Sequence, residues 1–165
     1  MRIITYNCCA LPVLTGDIGR RLALAAEAIA RLDPDMILLQ EIFLTGQLAA
    51  VRAGLPGWPH AAWGARSFGR VAGGICLLSK RPIRRWGFER FAAQGPALRF
   101  SALVRLSPKG FLWAEFKDPA ALVVHAHLLA DYRIGLAGRN PYPAAQAAQL
   151  EQIAAHLRPI DARAP

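Results

Sequence analysis

Apolar residues fall in short continuous runs over the first third of this chain, and after Trp63 in runs rich in β-branched and aromatic residues. Arg2 to Tyr6 reads as a strand. A helix follows from about Gly19 to Leu32, with apolar positions at Leu22, Leu24, Ala25, Ala28, Ile29 and Leu32 and a cap from Thr15 or Asp17. Asp33, Pro34 and Asp35 end it. Met36 to Gln40 is a continuous apolar run of the kind buried on both faces, and a short helix through Leu48, Val51 and Leu55 is closed by GLPGWP.

Beyond Trp63, GGICLLS, PIRRWGFERF, LRFSALVRL, GFLWAEF and ALVVHAH are separated by turn signals and predict a mostly antiparallel set of strands. The last predicted element is a Gln- and Ala-rich helix from Pro143 to Leu157. Its apolar positions are Ala147, Leu150, Ile153, Ala154 and Leu157, and Pro sits in its first turn. No repeat, low-complexity tract or long linker interrupts the chain, so it reads as a single α/β layered domain or part of one.

Composition narrows this. With 54% hydrophobic residues in 165, the chain must bury a large core. No apolar run approaches the roughly 20 residues that span a bilayer, and Met1 leads straight into a strand with no signal-peptide pattern, so a cytoplasmic or peripheral-membrane protein is expected. Three cysteines, two of them adjacent at Cys8 and Cys9, argue for buried thiols rather than a disulfide framework, and no CxxC or HxxxH spacing supports zinc. The net charge of +9 is mostly arginine and dense in KRPIRRWGFERF. Such a surface attracts phosphate-bearing partners, nucleic acid or an anionic membrane, although a solvated strand reads the same way.

Three polar residues stand at the ends of strand-like runs, where parallel sheets open onto ligand crevices: Asn7, Glu41 and His127. A hard divalent ion such as magnesium takes one or two carboxylates with water and phosphate, which suits Glu41. A Glu there can equally be a solvated strand end, and an Asn a local backbone cap. His127 lies two residues beyond His125 and on the same side of the strand, so it can face a phosphate oxygen or a leaving group, or both rings can simply be satisfied by backbone.

TYNCCAL, DPDMILLQE, GGICLLSKRPI and HAHLLADY, followed by a Gln-bearing helix, together resemble the amino-terminal part of the endonuclease/exonuclease/phosphatase superfamily over nearly the whole chain. The Asn-Cys pair, the GICLLSKRPI form, the KGF of SPKGFLWAEF and Tyr132 are most similar to its neutral sphingomyelinase branch. The resemblance implies a four-layer sandwich of two sheets between helical layers, and a magnesium-dependent phosphodiesterase, manganese being the alternative ion. In that reading Glu41 is a metal ligand, Asn7 helps hold the metal and phosphate, and His127 contacts the scissile phosphate. Lys109, followed by Gly110, matches a substrate-binding Lys-Gly, although a plain turn reads the same way. Tyr132 is a pocket-wall candidate.

Departures from the pattern carry their own expectations. Ala126 replaces a Thr that usually precedes the histidine, and the later Gly-Asp-x-Asn and terminal Asp-His motifs have no counterpart before Pro165. Those motifs would hold the general base. The chain therefore reads as roughly the first half of the domain, weak or inert in catalysis alone and prone to self-association through an uncovered apolar face. The expected substrate is a phospholipid of the sphingomyelin type, at a membrane surface. A nuclease of the same superfamily is the alternative reading, and a non-catalytic half-domain the third.

Overall fold

A computed structural model of the protein describes residues 1–11, 16–94, 108–131 and 140–161, the side chains of the last helix as far as Arg158. Strands β1 (Ile3–Asn7) and β2 (Met36–Gln40) pair in parallel, with Asn7 opposite Gln40, and helix α1 (Ile18–Leu32) makes the crossover that a parallel pair requires. Helix α2 (Thr45–Ala53) follows. Strands β3 (His60–Arg66) and β4 (Arg70–Ser79) form a hairpin, and β4 pairs antiparallel with β2, giving the order β1-β2-β4-β3. A second, antiparallel sheet holds β5 (Ile83–Arg90), β6 (Gly110–Lys117) and β7 (Ala120–Ala126), with β6 in the middle. Helix α3 (Tyr142–Asp161) closes the described chain.

Alternation along the strands decides how these elements stack. Ile37 and Leu39 of β2, with Val71, Cys76 and Leu78 of β4, pack against Leu22, Ala26 and Ile29 of α1 and Leu48 and Val51 of α2. Met36, Ile75 and Leu77 point the other way, onto Leu112, Ala114 and Phe116 of β6. The outward residues Phe111 and Trp113 meet His156 of α3, with ring centroids 5.2 and 5.8 Å apart. The succession is helices, sheet, sheet, helix, the four-layer α+β arrangement that the sequence resemblance implies.

The structure corrects the sequence reading in several places. β3 was not expected: HAAWGAR has no β-branched residue, yet Ala62 and Gly64 face inward because their small size lets the neighbouring sheet approach. A Cβ at Gly64 would lie 2.9 Å from Phe88 Cβ. Asp17 occupies the N-cap of α1 but makes no side-chain cap bond, since its φ of 49° is left-handed rather than extended. In α3 the expected apolar face is buried only in part: Ile153 and Leu157 are half-buried, but Ala147, Leu150 and Ala154 are exposed, Leu150 at 54%, while Gln149 is fully buried. Thr15, the strand expected in LRFSALVRL, and Tyr132 lie outside the described residues.

Glutamines explain that difference. Gln149 accepts from Leu129 N and donates to Ala93 O, Gln146 donates to Leu129 O, and Gln152 accepts from Ala92 N and donates to Arg90 O. Spaced three apart on one helix face, they satisfy backbone groups at the end of β5 and in the segments that follow β5 and β7. Apolar side chains there would leave those groups without partners.

Candidate active site

Glu41 is the first residue beyond β2, beside the end of β1. Its φ of 58° lies in the left-handed region, which costs a side-chain-bearing residue about 1–2 kcal/mol, and strain of this kind gathers at functional sites. Backbone bonds hold it there, from Ala10 N to Glu41 O at 3.1 Å and from Ile42 N to Gly74 O at 3.0 Å. Gly74 must itself be glycine, because at φ 64° an added Cβ would stand 2.8 Å from the Phe43 ring.

Asn7 aims the carboxylate. Its Nδ2 donates to Glu41 Oε1 at 2.9 Å, while its Oδ1 accepts from Cys9 N at 2.9 Å. Cys8 N donates to Gln40 O, and Arg21 donates to the carbonyls of Cys8 and Cys9, so the turn after β1 is fixed from both sides. Burial, with Glu41 nearby, pushes the Cys8 thiol up to about 12 against the opposing pull of Arg21; it is the inert buried thiol that the sequence suggested.

His127 and Lys109 arrive from the second sheet. Lys109 precedes β6, is 5% exposed, and places Nζ 2.9 Å from His127 Nδ1. Burial pulls the Lys109 ammonium down to about 8, with Glu41 acting to raise it. Burial, and then the Lys109 charge, pull His127 down to about 4, with Glu41 again opposing. At neutral pH the imidazole is therefore uncharged. An ammonium only donates, so Nδ1 accepts and the ring proton sits on Nε2. That nitrogen is 3.9 Å from Glu41 Oε1, too far for a hydrogen bond and, with a neutral ring, no ion pair.

The two sheets are keyed together beside this point. His125 Nε2 donates to Leu39 O at 3.0 Å, and two residues on along both strands His127 faces Glu41. Gln94 accepts from Lys109 N and donates to the carbonyls of Lys109 and Phe91, which fixes the approach of the lysine. A Cβ on Gly110 would stand 2.3 Å from Glu89 O, so the residue after Lys109 must be glycine.

Asn7, Glu41, His127 and Lys109 thus meet at one end of the sandwich. Asn7 bonds Glu41 Oε1, and the Glu41 side chain is 25% exposed. A reachable carboxylate beside polar neighbours is a donor set that fits a magnesium ion otherwise held by water and phosphate. No group of three or more His, Cys, Asp or Glu forms a fuller metal cage among the described residues. Sequence reasoning missed the partnership of Lys109 with His127 and the positioning by Gln94; the KGF turn was the only signal for either.

Comparison with known proteins bears on what such a site does. Residues 4–164 match the sequence profile of the Endonuclease/Exonuclease/phosphatase family. No curated protein sequence matches the chain. Among solved structures it is similar to sphingomyelinase C from Streptomyces griseocarneus, with TM-score 0.76 and 20% identity over 98% of this chain and 59% of that one. It is also similar to a variant of beta toxin from Staphylococcus aureus with bound magnesium ions, with TM-score 0.77 and 18% identity over 99% and 60%. TDP2 from Caenorhabditis elegans gives 0.73 and 14% over 100% and 44%. The chain spans about three-fifths of the length of the first two.

Proposed function

Because this chain belongs to the endonuclease/exonuclease/phosphatase family, we propose that it serves metal-dependent hydrolysis of a phosphoric diester in a phospholipid of the sphingomyelin type. The observation that carries the reading is the meeting of Asn7 and Glu41 from one sheet with Lys109 and His127 from the other. Sphingomyelinase C among the similar structures supports the lipid substrate, and the beta toxin structure with magnesium supports the ion.

In this proposal Glu41 holds the ion and Asn7 keeps the carboxylate aimed. Magnesium bound there supplies Lewis-acid neutralisation of the phosphoryl charge and a more acidic water. His127 donates its Nε2 proton to a phosphoryl oxygen and is no base, since Lys109 occupies the other ring nitrogen. The Lys109 charge, buried and, among the described residues, without a carboxylate at contact distance, adds to the attraction for a diester anion. Asn7, Glu41, Lys109 and His127 bind and orient; none of them is placed to take the proton of an attacking water.

The alternative is a nuclease, favoured by the absence of any acidic residue between Glu41 and Glu89. Arg85 of that stretch is engaged by Glu115 at 2.6 Å, which weakens a continuous phosphate track. The deciding experiment offers sphingomyelin vesicles and plasmid DNA side by side with magnesium, while calorimetry follows magnesium binding. Magnesium binding with sphingomyelin turnover, both lost in Glu41→Gln, supports the lipid reading. Cleavage of DNA alone replaces it with the nuclease, and no magnesium binding removes the metal site.

A further inference from the structure

We propose that the tip of the β3–β4 hairpin, Arg66 to Arg70, is a membrane-contact element that seats Phe68 in the interfacial region of an anionic phospholipid bilayer. Phe68 is 92% exposed, more than any other large apolar residue among those described. Its φ is 59°, a conformation that Gly or Asn adopts cheaply and an aromatic residue does not. The turn gains nothing from the ring, and the ring touches no core.

Charge indicates what it meets. Arg66 and Arg70 are register partners at the mouth of the turn, so two basic residues flank the ring, which suits an anionic surface in front of the tip. No Asp or Glu lies between Glu41 and Glu89, so nothing in this stretch repels a phosphate layer. A single projecting aromatic flanked by arginine matches the way interfacial elements enter the headgroup boundary.

The tip is also tied to the candidate site. Gly69 O accepts from Thr45 N at 2.8 Å and from Thr45 Oγ1 at 3.2 Å, Val71 N donates to Phe43 O, and Leu44 bridges to Arg70. Leu44, 38% exposed, adds a second apolar side chain beside the first. These bonds fix the hairpin to the segment that begins at Glu41, so the tip is held by the same backbone that carries the carboxylate. The element binds and does not cleave, and its test does not depend on turnover.

The test mixes the full chain with vesicles of phosphatidylcholine alone or with phosphatidylserine, and with duplex and single-stranded DNA. Phe68→Asn removes the ring and relaxes the left-handed turn, so its thermal unfolding should match or exceed that of the parent. Its partition onto phosphatidylserine vesicles should fall by about tenfold, the order expected for withdrawing one aromatic from an interface. In Phe68→Trp, the emission added over the parent should shift to the blue on those vesicles and be quenched by brominated acyl chains. Equal binding of parent and Phe68→Asn overturns the proposal, as does added emission in Phe68→Trp that brominated lipid leaves unchanged. Phe68-dependent binding of DNA without vesicle binding overturns it in favour of a base-stacking tip.

Discussion

The ammonium of Lys109 lies 2.9 Å from Nδ1 of His127, a buried cation donating to a neutral ring. This pair sets the tautomer of the histidine and turns its remaining proton toward Glu41. Charge and shape in the candidate site are therefore coupled through one contact between the start of β6 and the end of β7.

Lys109→Met should release His127. With the neighbouring charge gone, burial, the larger cause, and His125 still lower the ring, so it should titrate above the present value of about 4 but stay below the ordinary 6.5. Imidazole resonances followed by nuclear magnetic resonance against pH read this directly. An unmoved titration would show that Lys109 does not act on the ring.

Stability should climb with pH in two windows. Between about 4 and 6.5 the unfolded chain protonates His127 and the folded chain does not, so unfolding binds protons and stability is lost as pH falls. Between about 8 and 10.5 the same reasoning applies to Lys109, whose folded form releases its proton first, and stability rises again. Urea midpoints across pH check both, and the upper window should vanish in Lys109→Met.

Glu41→Gln should abolish calorimetric magnesium binding while leaving the circular dichroism and melting temperature nearly unchanged, because the replacement keeps the shape and the bond to Asn7. Asn7→Ala should weaken binding less, by roughly tenfold, the lower end of what losing an outer-shell partner costs. Equal affinities in parent and Glu41→Gln would place the ion elsewhere.

Gln149→Leu should cost about 2–3 kcal/mol, since Leu129 N and Ala93 O lose their partner together inside the protein. Chemical denaturation measures it. A neutral result would mean that water replaces the amide.

Edge pairing provides a fifth expectation. β1 is the last strand of its sheet among the described residues, with Ile3 42% and Tyr6 43% exposed. Concentration-dependent association in size-exclusion chromatography, reduced by Ile3→Lys, would agree with it. A concentration-independent monomer would contradict it.

Much of this was legible in the sequence because strands announce themselves by run length and by the polar residue that ends them. Glu41 stood out after MILLQ and His127 at the end of ALVVHAH. β3 was not legible, since Ala62 and Gly64 suit a close approach to the next sheet, which local β-propensity does not register. The burying face of α3 was misjudged for a related reason. Glutamines count as polar in any periodic pattern, yet Gln146, Gln149 and Gln152 are the residues that bond the loops beneath. Lys109 looked like a turn residue because its partner lies eighteen positions away.

Glu41 and Asn7 stand at the end of one sheet, Lys109 and His127 at the end of the other, and the bond from His125 to Leu39 ties the sheets together beside them. A newly synthesised chain therefore does not assemble the candidate site until its two halves have closed on each other. Any diester or metal that then bridges the pair acts as a rivet: its binding energy adds to the work of prying the sheets apart, and the ligand becomes part of what keeps the molecule shut.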